Sequence, residues 1–230
     1  MNNFEKFAEK INVKFNDISL LQTSFTHRSY LNENRGENLK HNERLEFLGD
    51  AVLELVVTHH LFKKFPEEKE GVLTAYRSAI VNTVSLLRVA DELNINEYLL
   101  LSKGEAKDEG RARNFIIANV IEAIIGAIYL DKGYDEAATF IDTYFLKITD
   151  EVVEHSLWQD AKSHFQEKAQ EFEKVTPSYK TLEEIGPDHD RKFKVGVFLR
   201  NKLIAEGEGV SKQEAEQLAA QEALKAKQWA

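Results

Sequence analysis

From Asn3 to about residue 150, apolar residues recur three and four positions apart with few glycine or proline breaks, which is the spacing of amphipathic helices. The pattern predicts helices over Asn3–Ile11, Ile18–Thr26, Asn42–Lys64, Val72–Leu93, Asn114–Leu130 and Tyr134–Thr149. Phe65-Pro66, Glu70-Gly71 and Lys132-Gly133 punctuate them where helices should stop or start. After Trp158 the period changes. A helix over Ala161–Glu173 ends before Thr176-Pro177, and Tyr179–Glu184 reads as a strand with Gly186–Asp190 as a loop behind it. Phe193, Val195 and Val197 then alternate with Lys192, Lys194 and Gly196, an Arg200-Asn201 turn follows, and a third strand runs from Leu203 to Gly209. A last helix opens at Ser211, a good N-cap, and offers Ala215, Leu218, Ala219 and Ala223 as a small-residue face for the sheet. The fold class expected is α+β in two domains, an all-α domain over residues 1–156 and a small α-β-β-β-α domain over 157–230. Asp150–Asp160 contains no glycine or proline, so composition marks that boundary weakly.

The helix predicted over Asn42–Lys64 carries the first chemistry. At about 100° per residue, Glu43, Glu46 and Asp50 fall within a roughly 60° arc of one face. Leu45, Leu48, Val52, Leu55 and Val56 occupy the opposite face as a core stripe. Like charges at this spacing repel, so the crowding is either a solvated acidic face or a seat for a cation. The helix over Asn114–Leu130 is apolar on nearly every side, with Ile116, Ile117, Val120, Ile121, Ile124, Ile125 and Ile128 around Ala118, Ala123, Gly126 and Ala127. It nevertheless carries Glu122, with Asn119 one turn earlier on the same face. A carboxylate in such a helix must be protonated, paired with a base or bound to a metal. Two helices of one bundle, each with oxygen ligands a turn apart, could close around a hard cation. Carboxylates and an amide without cysteine favour Mg2+ or Mn2+ over zinc or copper. A di-iron bundle would want Glu-x-x-His pairs, and none of the seven histidines lies three residues after an acid. A cation with retained waters suits phosphate ester hydrolysis.

Composition changes the picture in two respects. There is no cysteine, hence no disulfide or thiolate site, and no uninterrupted apolar run approaches the roughly 18 residues of a membrane span. The N-terminal MNNFEKFAEK mixes acids with its apolar residues, unlike a signal peptide, so a soluble cytoplasmic protein without a membrane partner is expected. The net charge of -9 argues at first against a polyanionic partner. The acids are unevenly spread: residues 157–230 hold 12 Lys and Arg against 13 Asp and Glu, leaving 18 against 26 for residues 1–156. An acidic first part and a near-neutral second part are the pattern expected of two domains with different tasks.

HNERLEFLGDAVL, at residues 41–53, resembles the signature helix of bacterial ribonuclease III. The resemblance continues in THRSY (Thr26–Tyr30), Glu70-Gly71 and IEAIIGAIYLD (Ile121–Asp131), and the C-terminal part is similar to the double-stranded-RNA-binding domain of that family. It covers nearly the whole chain. It implies a homodimeric, magnesium-dependent endonuclease that cuts duplex RNA to 5′-phosphate and 3′-hydroxyl ends and processes ribosomal, messenger and transfer RNA precursors. By position it implies Asp50 and Glu122 as catalytic acids, Glu46, Asp50, Asn119 and Glu122 as metal ligands, and Glu43 and Glu70 as acids of the cleavage valley. Phe47 lies beside the carboxylates. The resemblance implies that it inserts into the partner subunit, and packing on a neighbouring loop is the alternative. In the C-terminal domain the resemblance implies RNA contacts by Ser163, Gln166, Glu167 and Gln170 on one helix face, by His189 in a loop, and by Ser211 and Lys212 at a helix start whose free amides favour phosphate. Two departures stand out. Asn119 occupies a position where the family usually has Asp, and Gln213 one where it often has a second Lys. The first raises the alternative of a catalytically weakened RNA-binding protein. The second predicts modest affinity and a shallow salt dependence for the C-terminal domain alone. A metal-binding bundle unrelated to RNA is a third reading.

Overall fold

A computed structural model describes residues 3–34, 39–107, 110–154, 160–186 and 191–229, the side chains of residues 111 and 154 excepted. The chain divides into two compact units, Met1–Trp158 and Gln159–Ala230.

The first unit is helical: α1 (Asn3–Lys10), α2 (Ile18–Ser24), α3 (Arg28–Glu33), α4 (Glu43–Lys64), α5 (Glu70–Ile80), α6 (Thr83–Glu92), α7 (Arg111–Lys132), α8 (Tyr134–Tyr144) and α9 (Thr149–Glu154). Helix α7 is its centre. Ile117, Val120, Ile121, Ile124, Ile125 and Ile128 are all buried, against Val52, Leu53, Val56, Val57 and Leu61 of α4, Leu86 and Val89 of α6, and Phe140 and Ile141 of α8. By length and average composition α7, over Ala112–Lys132, could cross a membrane, with a mean hydropathy of 1.5, although Asn119 and Glu122 interrupt its apolar run. Its apolarity has a simpler cause, since 61% of that stretch is buried inside the unit. Phe7, Phe25 and Tyr98 close one end of the core, with edge-on ring contacts at 4.9 and 5.0 Å.

Helices α4 and α7 meet backbone to backbone. A Cβ placed on Gly49 would lie 1.7 Å from the Glu122 carbonyl oxygen, and one on Gly126 would lie 2.2 Å from the Leu45 carbonyl oxygen. Only glycine permits this approach. Around the crossing Leu45 packs on Ala123 and Ala127.

Several expectations are corrected. The helix predicted over Val72–Leu93 breaks at Val81-Asn82, because the Asn82 side chain accepts from Ser85 N–H and starts α6 afresh. Tyr134–Thr149 ends as α8 at Tyr144 and continues as a 3-10 turn, Leu146–Ile148, and α9. Helix α3 was not anticipated. Of the predicted α4 stripe, Leu45, Val52 and Val56 are buried and Leu48 partly so, but Leu55 is 56% exposed, because the seam turns with the helix toward Leu53, Val57 and Leu61.

In the second unit α10 (Ala161–Glu173) and α11 (Lys212–Lys227) pack on one face of an antiparallel sheet of order β1-β2-β3, made of Ser178–Ile185, Lys192–Leu199 and Lys202–Gly209. Tyr179 pairs with Val197 and Val197 with Ala205, with a register shift in each ladder. Phe165, Ala169, Val197, Leu199, Ala219, Ala220, Ala223 and Leu224 form the core. Leu218, expected in the small-residue face, is exposed, and Ala220 and Leu224 take its place. Gly207 lets α11 lie on β3, since a Cβ there would be 2.2 Å from Ala219 N.

Gly126→Ala should therefore destabilise the protein by about 3 kcal/mol or more, at the upper end of the overpacking range. Denaturant melts check this; a loss below about 1 kcal/mol would mean that the helices can separate freely.

Candidate functional site

The α4–α7 crossing decides where the acids go. Glu46 and Asp50 flank Gly49 on α4, and Glu122 supplies the carbonyl that Gly49 touches. The carboxylates consequently feel one another. Burial raises the Glu122 pKa from 4.5 to about 7, and the charges of Asp50 and Glu46 push it the same way. Burial also raises Glu46, as do Glu43 and Asp50, while a hydrogen bond from Asn119 lowers it. The paired-base alternative for Glu122 fails: among the described residues no Arg or Lys forms an ion pair with it. Nor, among them, do three His, Cys, Asp or Glu side chains converge closely enough to chelate an ion as oriented. A half-buried acid crowded by two others, beside an amide and without a basic partner among the described residues, brings together hard oxygen donors of the kind divalent cations prefer.

The other acids stand differently. Glu43 is exposed at the start of α4, 3.6 Å from the Arg28 guanidinium at Nη1 and 3.7 Å from His41 Nδ1. Glu70 opens α5 and accepts from Thr74 Oγ1 at 3.2 Å. His27, Arg28, Asn42, Glu43, Glu46, Ile116 and Asn119 together wall a cavity of about 270 Å³. His27 and Arg28 belong to the THRSY run, and their place in this wall was not read from the sequence.

Phe47 is 81% exposed, so packing on a neighbouring loop is not its arrangement. It borders a groove of about 990 Å³ whose apolar lining includes Leu20, Leu31, Leu39, Leu45, Leu48 and Leu130.

In the second unit Ser163, Gln166, Glu167 and Gln170 are all exposed on α10. Two of them have local partners: Ser163 Oγ donates to Asp160 at 2.7 Å, and Gln170 Nε2 to Thr176 Oγ1 at 2.7 Å. Ser211 caps α11 by accepting from Glu214 N–H at 3.2 Å, and the Glu214 carboxylate accepts from Val210 N–H at 2.8 Å. Lys212 Nζ lies 2.8 Å from Glu184 Oε1 and over the Phe193 ring. That hydrogen bond holds the Glu184 carboxyl below its ordinary range. His189 lies outside the described residues.

Comparison with known proteins follows the same division. A family profile described as Ribonuclease-III-like matches residues 17–149, and one described as double-stranded RNA binding motif matches residues 161–227. A protein named Ribonuclease 3 from Bacillus licheniformis is 48% identical over 222 residues, covering 96% of this chain and 88% of that protein. Another of that name from Borreliella burgdorferi is 44% identical over 221 residues, covering 96% and 90%. Among solved structures, the nuclease domain of ribonuclease III from Campylobacter jejuni is 38% identical, with a TM-score of 0.56 over 65% of this chain and 97% of that one; its description concerns flexibility in a region involved in dimer formation.

The raised pKa of Glu122 makes a signed prediction. Folding favours the protonated acid, so the cation-free protein loses stability as pH rises from 4.5 through about 7. Glu122→Gln should raise its melting temperature at pH 8 by several degrees and change little at pH 4. Equal effects at both pH values would show that Glu122 is not held protonated.

Proposed function

Because the chain belongs to the ribonuclease III family and is a double-stranded-RNA-specific endoribonuclease, we propose that hydrolysis takes place at Glu46, Asp50, Asn119 and Glu122. The observation that carries this reading is the half-buried Glu122, crowded by Asp50 and Glu46 across the α4–α7 crossing. Those four residues would hold Mg2+, with Mn2+ as a substitute. When bound, the cation supplies charge neutralisation at the scissile phosphate and an activated water.

The chain's own residues do the rest. Glu122 holds a proton on its carboxyl near neutral pH and gives it up when the site loads. Asn119 donates to Glu46, which fixes that carboxylate while keeping an amide oxygen available. With one charge fewer than an Asp would supply, the site binds magnesium more weakly; the comparisons lend no support to a catalytically weakened protein. Asp50 stays exposed on the side open to substrate. Glu43 and Glu70 line the approach as valley acids. Products carry 5′-phosphates and 3′-hydroxyls, and structured precursors such as those of ribosomal RNA are the substrates. The cytoplasm is the place where such substrates are met.

The exposed Phe47 and the apolar groove beside it are complementary in kind. Two copies related by a two-fold axis can each insert Phe47 into the other's groove, giving a homodimer through the nuclease domain. The second domain grips the minor groove of duplex RNA by shape. Ser163, Gln166, Glu167 and Gln170 meet one groove, His189 a second, and Ser211 with Lys212 the phosphates between.

Incubation with a defined RNA hairpin and Mg2+ tests the site. Glu46→Gln and Glu122→Gln should each abolish cleavage while duplex binding persists, and wild-type cleavage by either would place the chemistry elsewhere. Phe47→Asp should convert a dimer to a monomer in sedimentation velocity, and an unchanged dimer would locate the interface on another face.

A further inference from the structure

The THRSY run stands apart from the acid chemistry, yet its second and third residues form a wall of the same cavity. His27 is the N-cap of α3. Its Nδ1 accepts from Ser29 N–H at 3.3 Å and lies 2.8 Å from Ser29 Oγ. A ring nitrogen that accepts from a backbone amide carries no hydrogen, so in the neutral imidazole the proton is on Nε2. Burial lowers the ring's pKa, which keeps it neutral at ordinary pH. Ser29 Oγ also accepts from Ser102 N–H at 3.1 Å, and Ser102 Oγ accepts from Glu105 N–H at 3.2 Å. The ring is thereby fixed from two segments far apart in the chain, and among the described residues Nε2 has no partner. Beside it the Arg28 side chain is 71% exposed, paired with Glu43 at a loose 3.6 Å. A pair so exposed and so long contributes little and is readily exchanged.

The cavity is thus lined by a fixed neutral donor and a guanidinium together with Glu46 and Asn119. An acidic site that receives a polyanionic strand needs a cation within reach, since otherwise the acids repel the substrate. We propose that His27 Nε2–H and the Arg28 guanidinium form a seat for a backbone phosphate of the RNA strand being cut, beside Glu46 and Asn119. The guanidinium exchanges Glu43 for the phosphate, a charge-assisted contact with the fork geometry that oxyanions favour. His27 adds a directional hydrogen bond that needs no change of protonation. The seat rests on the reading of Glu46, Asp50, Asn119 and Glu122 as the hydrolytic site and extends that reading to substrate placement.

The test uses the full chain and three variants. Arg28→Gln removes the cation at an exposed position. His27→Asn keeps an acceptor for Ser29 N–H, hence the cap, and removes the Nε2 donor. Glu122→Gln is the control on the underlying site. Each is measured for cleavage of a defined hairpin, for duplex binding in EDTA across salt concentrations, and for magnesium binding by calorimetry without RNA. Arg28→Gln should raise KM and reduce the slope of log affinity against log salt by about 1. His27→Asn should weaken binding roughly threefold to tenfold, the range of one hydrogen bond, with the slope unchanged because a neutral ring releases no counterion. Magnesium binding should be unchanged in both. Unaltered KM and salt slope in Arg28→Gln would overturn the seat. So would a loss of magnesium binding that parallels the loss of cleavage, because Arg28 would then act through Glu43. If Glu122→Gln cleaves normally, the underlying site is wrong and the seat falls with it.

Discussion

The backbone contact of α4 and α7 at Gly49 and Gly126 is the constraint on which the nuclease unit depends. Helices normally keep 8–10 Å between axes because side chains stand between them. Here glycine removes that spacer, so groups from two helices share one surface: Glu46 and Asp50 from α4, Asn119 and Glu122 from α7. The consequence is electrostatic. Partial burial of Glu122 against α4 pushes its carboxyl up to about 7, and the neighbouring charges of Asp50 and Glu46 push it the same way. A divalent cation relieves that crowding. The same contact that builds the core therefore sets the electrostatics of these acids.

Much of this was legible in the sequence because two signals conflict with ordinary packing. Three acids within one arc of α4 violate charge spacing, and Glu122 violates the apolarity of α7; each is visible from helical period alone. The strands of the second unit were equally visible from alternation and from the Ser211 cap. The period failed where it runs on across a break. Val72–Leu93 keeps its apolar spacing through Val81-Asn82, and only the Asn82 side chain closing on Ser85 N–H divides it. Leu55 and Leu218 lie at the margins of stripes, where small rotations of a helix decide exposure. Contacts between distant segments had no local signature at all. The Lys212–Glu184 pair depends on how β1 lies beside the start of α11, and the His27–Ser29–Ser102 chain joins residues 73 positions apart.

The net charge of -9 becomes intelligible at this level. A nuclease for duplex RNA can carry an acid surplus if its cations stand where phosphates are wanted. Arg28 stands beside the acid cluster and Lys212 at the first turn of α11, and each is held by a glutamate, Glu43 or Glu184. On the proposed reading a phosphate arriving at either position would replace a carboxylate, so the groups that orient the free side chain would also moderate its affinity for RNA. Weak, exchangeable surface pairs suit this arrangement better than strong buried ones.

If the acids at the glycine crossing hold magnesium as proposed, Glu122 must surrender its proton for the site to load. Calorimetric magnesium binding near pH 7, repeated in buffers of different ionisation enthalpy, reads that proton directly. The account predicts release of about half a proton per site, falling toward zero near pH 9 and absent in Glu122→Gln, as expected when ligand and proton compete for one carboxylate. Magnesium binding with no proton release at pH 7 would contradict it.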